Sequence, residues 1–196
     1  MTRMRSVAVF CGSRRGVNPA WAEAVEELGA GLARACIRLV YGGGQVGLMG
    51  ALADATLGAG GNVLGVIPQF LTHFEAAHHD LNDLVITDSM HSRKRQMFDQ
   101  SDAFVMMPGA VGTFDETIEV ITWRQLGLHD KPIIIANIEG SAAAFVSLIE
   151  NAIANGFMIP ENRRLFEVVD SVAALLARLE ALPAIEETVT AEAQKL

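Results

Sequence analysis

Arg38-Leu39-Val40-Tyr41-Gly42-Gly43-Gly44-Gln45-Val46-Gly47-Leu48-Met49-Gly50 reads as a short strand, a glycine loop and the start of a helix. Arg38–Tyr41 is mostly apolar and does not alternate, the pattern of a strand covered on both faces. The glycines after it let the backbone turn with φ > 0 and approach a neighbour closely. The same grammar repeats along the chain. Further strands are expected at Val7–Cys11, Val63–Ile67, Leu84–Thr87, Ala103–Met107, Ile133–Ala136 and Glu167–Val169. Helices are expected at Pro19–Ala35, Leu48–Ala59, Ser89–Asp99, Phe114–Leu126, Ala142–Asn155 and Ser171–Leu182. Such alternation predicts an α/β fold, a doubly wound three-layer sandwich with a mostly parallel sheet.

The chain of 196 residues is long enough for one well-buried domain and short for two. Residues 1–183 are expected to form that domain, and the stretch after Pro183 is a polar tail. With 51% hydrophobic residues and a mean hydropathy of +0.29, the interior should be large. The formal net charge of -8 disfavours nucleic acid and anionic membranes as partners. No apolar run reaches the ~20 residues of a membrane helix, and the opening residues lack a signal-peptide pattern. Cys11 and Cys36 are too few for a disulfide framework and are read as core thiols of a cytoplasmic protein.

In a sheet of this kind, ligands bind where the strands end and the helices begin. Three stretches stand there. The first is the Tyr41–Gly50 loop, whose Gly43 and Gly44 could offer amides to an anion at a helix N-terminus. Gly42-x-Gly44-x-x-Gly47 also matches a dinucleotide fingerprint, but Val66-Ile67-Pro68-Gln69 holds no acid for the ribose diol. A tight strand–helix crossover without ligand remains a third reading.

The second stretch is Pro108-Gly109-Ala110-Val111-Gly112-Thr113-Phe114-Asp115-Glu116. Gly109, Gly112 and Thr113 could hold a phosphate. Glu116 is open to two readings: Thr113-x-x-Glu116 is a capping box, or the carboxylate faces a bound sugar.

The third is Met90-His91-Ser92-Arg93-Lys94-Arg95-Gln96-Met97-Phe98. Met90, Met97 and Phe98 mark an apolar face that also runs through Arg93 and Lys94. A solvated charge run suits Arg95 and Asp99. Arg93 and Lys94 either snorkel from a shallow stripe or face a site holding an anion.

Met90-His91-x-Arg93-Lys94 followed by Pro108-Gly109-x-x-Gly112-Thr113-x-x-Glu116 resembles the paired signature of the LOG (Lonely Guy) phosphoribohydrolases, which act on cytokinin riboside 5′-monophosphates. Phe10–Ser13, Gly65–Pro68, Val120–Trp123 and His129–Pro132 extend the likeness over nearly the whole chain. The resemblance implies a Rossmann-like fold, a homodimer or larger even homo-oligomer, and neither metal nor organic cofactor. It implies Arg93 and Glu116 as the catalytic pair. It also implies substrate contacts from Glu75, Lys94, Ala110, Val111, Gly112, Thr113 and Thr122. Alanine at position 110 replaces the family's glycine; a positive φ there would cost about 1–2 kcal/mol, whereas a negative φ leaves only a methyl crowding the phosphate.

Proteins with this signature are often labelled lysine decarboxylases. Only Lys94, Lys131 and Lys195 are present, and Lys94 suits a phosphate better than a Schiff base. A non-enzymatic nucleotide or phosphate carrier of similar fold is the other expectation; it has no need of Arg93 with Glu116.

Overall fold

A computed structural model describes residues 6–72, 77–78 and 80–183. Seven strands, β1 (Ser6–Phe10), β2 (Arg38–Tyr41), β3 (Val63–Pro68), β4 (Asp83–Thr87), β5 (Ala103–Met106), β6 (Ile133–Ala136) and β7 (Glu167–Val169), form one sheet. Their order is β4-β3-β2-β1-β5-β6-β7, and every adjacent pair runs parallel. Between them lie α1 (Pro19–Arg34), α2 (Gly47–Gly58), α3 (Met90–Asp99), α4 (Val111–Gln125), α5 (Ala143–Ala154) and α6 (Val172–Ala181). The doubly wound α/β reading holds, with the sheet wholly rather than mostly parallel.

The apolar runs explain the layers. Successive strand residues point to opposite faces, so Val7 and Val9 enter one core with Leu28, Leu52 and Leu175. Ala8 and Phe10 enter the other with Met97, Ile121 and Phe145. Helices α1, α2 and α6 thus cover one face, and α3, α4 and α5 the other.

Cys11 is buried as expected, but Cys36 is exposed. It sits after α1 with φ 56, in a turn that holds its side chain out of the core. The tail beyond Pro183 lies outside the described residues.

The chain order β1 to β4 runs outward along the sheet; α3 then brings it back so that β5 pairs with β1. The switch point between β1 and β5 opens a crevice at their carboxyl ends, the place where such sheets bind ligands. There Gly12 N donates to Pro108 O at 3.0 Å, tying the loop after β1 to the loop after β5.

Candidate active site

Helix α3 begins with a reciprocal cap. Ser89 accepts from Ser92 N, and Ser92 Oγ accepts from Ser89 N. Asp88 accepts from both hydroxyls, which holds its carboxyl below the ordinary value. One turn in, Arg93 points into the protein and is buried. Its Nε donates to Val66 O at 3.0 Å and its Nη2 to Gly42 O at 2.9 Å. The guanidinium therefore lies across the ends of β2 and β3. A Cβ on Gly42 would stand 2.1 Å from Nη2, so the guanidinium occupies space that only glycine leaves open. Arg93 does not snorkel. Arg95, by contrast, pairs with Asp99 at the exposed surface, as the solvated reading expects.

From the other side comes Glu116. Helix α4 starts at Val111, three residues earlier than the pattern suggests, with Ala110 as its N-cap. Thr113 is consequently the third helical residue and buried, and Glu116 sits in the second turn. The capping-box reading is thereby corrected: neither residue occupies the position such a box requires. Glu116 Oε1 lies 3.8 Å from Arg93 Nη1, with side chains only 12% and 7% exposed. At that length the pair attract as charges without a full hydrogen bond. Cys11 stands beside them; burial first, then the charge of Glu116, pushes its thiol well above the ordinary range. It stays neutral.

Lys94 is engaged within the chain itself. Its Nζ lies 2.7 Å from Asp115 Oδ2 and 3.5 Å from Glu119 Oε2, bridging α3 to α4. Burial opposes its charge, but the two carboxylates outweigh that and hold the ammonium above its ordinary value. Thr122 is exposed and donates to Ile118 O of its own helix, so one chain does not bring it to the Arg93–Glu116 pair. Glu75, like His73 and His79, lies outside the described residues. His78 is buried against Asp54, with Nε2 to Oδ1 at 2.8 Å.

The first glycine loop is built for close packing. Gly43 has φ 75 and accepts from His78 N, and Gly44 bridges Ala77. Gly47 has φ 70, and a Cβ there would meet the Ser13 carbonyl carbon at 2.2 Å. The amides of Leu48 and Met49 both donate to Gly12 O, so the start of α2 is occupied by protein. What this loop gives the site is a carbonyl for Arg93.

The second loop remains open. Gly109, Ala110, Val111 and Gly112 are exposed, and α4 begins without a side-chain cap. Its first-turn amides face outward from a helix start, an arrangement suited to an anion. Ala110 has φ -127, so its methyl carries no left-handed strain. Gly109 is glycine for a packing reason: a Cβ would stand 2.1 Å from Thr113 Oγ1.

Beside this loop lies the switch-point crevice, about 320 Å³, lined by Ser13, Arg14, Arg15, Trp21, Gly109 and Ala110 among others. Sequence reasoning gave no site role to Ser13, Arg14 or Arg15, and weighed Gly42 only within the dinucleotide fingerprint. The position of the loop after β1 at the switch point is the signal that could have found the first three. Trp123, half-buried, packs edge-on to Phe98.

A family model described as "Possible lysine decarboxylase" matches residues 49–179. The cytokinin riboside 5′-monophosphate phosphoribohydrolase of Rhodococcoides fascians is 43% identical over 176 residues, 89% of each chain. An Arabidopsis thaliana protein of the same name is 37% identical over 193 residues, covering 98% of this chain and 85% of its own. Among solved structures, the molybdenum cofactor carrier protein of Chlamydomonas reinhardtii superposes with a TM-score of 0.68 at 19% identity, covering 90% of this chain and 96% of that one.

Proposed function

We propose, from the premise that this chain belongs to the LOG family of phosphoribohydrolases, that it hydrolyses the N-glycosidic bond of nucleoside 5′-monophosphates carrying an adenine-type base. The substrates are cytokinin riboside 5′-monophosphates and AMP; the products are free base and ribose 5-phosphate. The observation that carries the reading is the approach of Arg93 to Glu116 at the ligand-binding end of the sheet. The fold alone does not decide, since a cofactor carrier shares it. A carrier gains nothing from a buried guanidinium held against a carboxylate.

The uncapped start of α4, from Gly109 to Thr113, grips the 5′-phosphate and places the anomeric carbon near Glu116. As the glycosidic bond breaks, its electron pair leaves with the base nitrogen and the sugar becomes oxocarbenium-like. Ionised Glu116 stabilises that positive charge and orients water, whose oxygen bonds to the anomeric carbon. One water proton reaches the medium, and the base takes up one in exchange. Arg93, fixed by Gly42 and Val66, aligns the carboxylate; as a permanently charged group it does not act as proton donor. Lys94, committed to Asp115 and Glu119, locks α3 to α4 so that the two catalytic groups keep their spacing.

We place the enzyme in the cytoplasm as an even homo-oligomer, in which the exposed Thr122 contributes across the interface between copies. Among the described residues no helix is long and apolar enough to cross a membrane. Incubation with AMP and with N6-isopentenyladenosine 5′-monophosphate, following base and ribose 5-phosphate by chromatography, tests the reading. Binding without release of base would favour a carrier.

A further inference from the structure

A 5′-phosphate seated at the start of α4 carries up to two negative charges, and helix amides alone balance only part of that. The cations already described are committed. Arg93 is held by two carbonyls and Glu116, and Lys94 by Asp115 and Glu119. The switch-point crevice offers another source. It is lined by the loop after β1, including Ser13, Arg14 and Arg15, and by Pro108, Gly109 and Ala110 of the loop after β5. Gly109 and Ala110 also lead into α4, so an anion at that helix start lies at the mouth of the crevice. Arg15 faces Glu26 at 3.9 Å. Arg14 is exposed and has no carboxylate within 4 Å among the described residues.

We infer that Arg14 is a substrate-binding residue that takes the 5′-phosphoryl group across the crevice and selects nucleotides over nucleosides. The inference rests on the nucleotide reading above and extends it to a residue outside the signature motifs. A guanidinium suits the task because its planar fork meets two phosphate oxygens at once. Its place on the β1 loop, in the crevice that Gly109 and Ala110 also line, would let it join the α4 amides on the phosphate while leaving the sugar to Arg93 and Glu116.

The test uses the full chain with Arg14→Ala, Arg14→Lys and Arg15→Ala. Ribose 5-phosphate binding is measured by calorimetry, and turnover is measured on N6-isopentenyladenosine 5′-monophosphate and on the matching nucleoside. Arg14→Ala should weaken ribose 5-phosphate binding and raise KM for the nucleotide about tenfold or more. Nucleoside turnover should stay unchanged, Arg14→Lys should recover part of the loss, and Arg15→Ala should have the smaller effect. Unchanged ribose 5-phosphate binding in Arg14→Ala would overturn the inference, as would an equal loss on nucleotide and nucleoside. If the wild type binds ribose 5-phosphate through Arg14 but releases no base, the catalytic reading fails and the phosphate site stands.

Discussion

Arg93 Nη1 and Glu116 Oε1 stand 3.8 Å apart, reaching toward each other from α3 and α4 with both side chains almost wholly enclosed. The arginine is held independently of the glutamate, by Gly42 O and Val66 O. Because two backbone carbonyls already fix the guanidinium, its position does not depend on donating a tight hydrogen bond to Glu116, and the carboxylate keeps a separate place at the site. Buried ion pairs are weak devices for stability, and their cost is often tolerated where chemistry uses them.

Gly42 should therefore be sensitive to the smallest enlargement. A Cβ at 2.1 Å from Arg93 Nη2 must displace the guanidinium. Gly42→Ala is expected to lower kcat by about 100-fold through misplacement. It should also cost about 1–3 kcal/mol in thermal or denaturant unfolding, because a buried charge loses a carbonyl partner. Near-wild-type kinetics would show that Arg93 works from another position.

Ala110→Gly tests the departure from the family motif. With φ at -127 there is no left-handed strain to relieve. Unfolding stability is expected to shift by no more than about 0.5 kcal/mol. The missing methyl should ease the phosphate's approach, lowering KM or raising turnover for nucleotides. If kinetics do not move, the methyl does not crowd the ligand.

His129 gives a pH dependence. Its Nε2 donates to Val120 O at 2.8 Å, while Nδ1 accepts from Lys131 N, so the fold binds the neutral ring. Burial first, and then the charges of Lys131 and Arg124, hold its pKa below the ordinary 6.5. The unfolded chain thus takes up a proton that the folded chain refuses, and the stability His129 contributes is lost as pH falls below about 6.5. Unfolding free energies of wild type and His129→Gln, measured between neutral pH and pH 5, should converge as the medium acidifies. A constant gap would mean that the ring's proton is not linked to folding.

Much of this was legible from the chain. Strand limits were read to within a residue; for the inner strands this follows because parallel strands buried on both faces are continuous apolar runs between turn signals, as Ile133–Ala136 shows. The start of α4 was misplaced because Pro108-Gly109-Ala110-Val111-Gly112 looks like loop and carries no capping side chain. That shift of three residues is what left a helix cap among the two readings of Glu116. The partners of Arg93 were hidden for a different reason: every residue carries a carbonyl, so nothing in the letters marks Gly42 or Val66 as acceptors. Lys94 was legible as a cation on the inner face, but its pairing with Asp115 and Glu119 depends on how α3 meets α4. Cys36 was misjudged because a turn, rather than helix periodicity, sets its exposure.

Glu116→Gln is the most direct test, since it keeps the shape of the side chain and removes only its charge. Wild type and variant are compared for release of base and ribose 5-phosphate from N6-isopentenyladenosine 5′-monophosphate, with circular dichroism confirming that both are folded. The expected result is a loss of about 100-fold or more in kcat with the fold retained. Undiminished turnover by folded Glu116→Gln would contradict a catalytic role for the carboxylate facing Arg93.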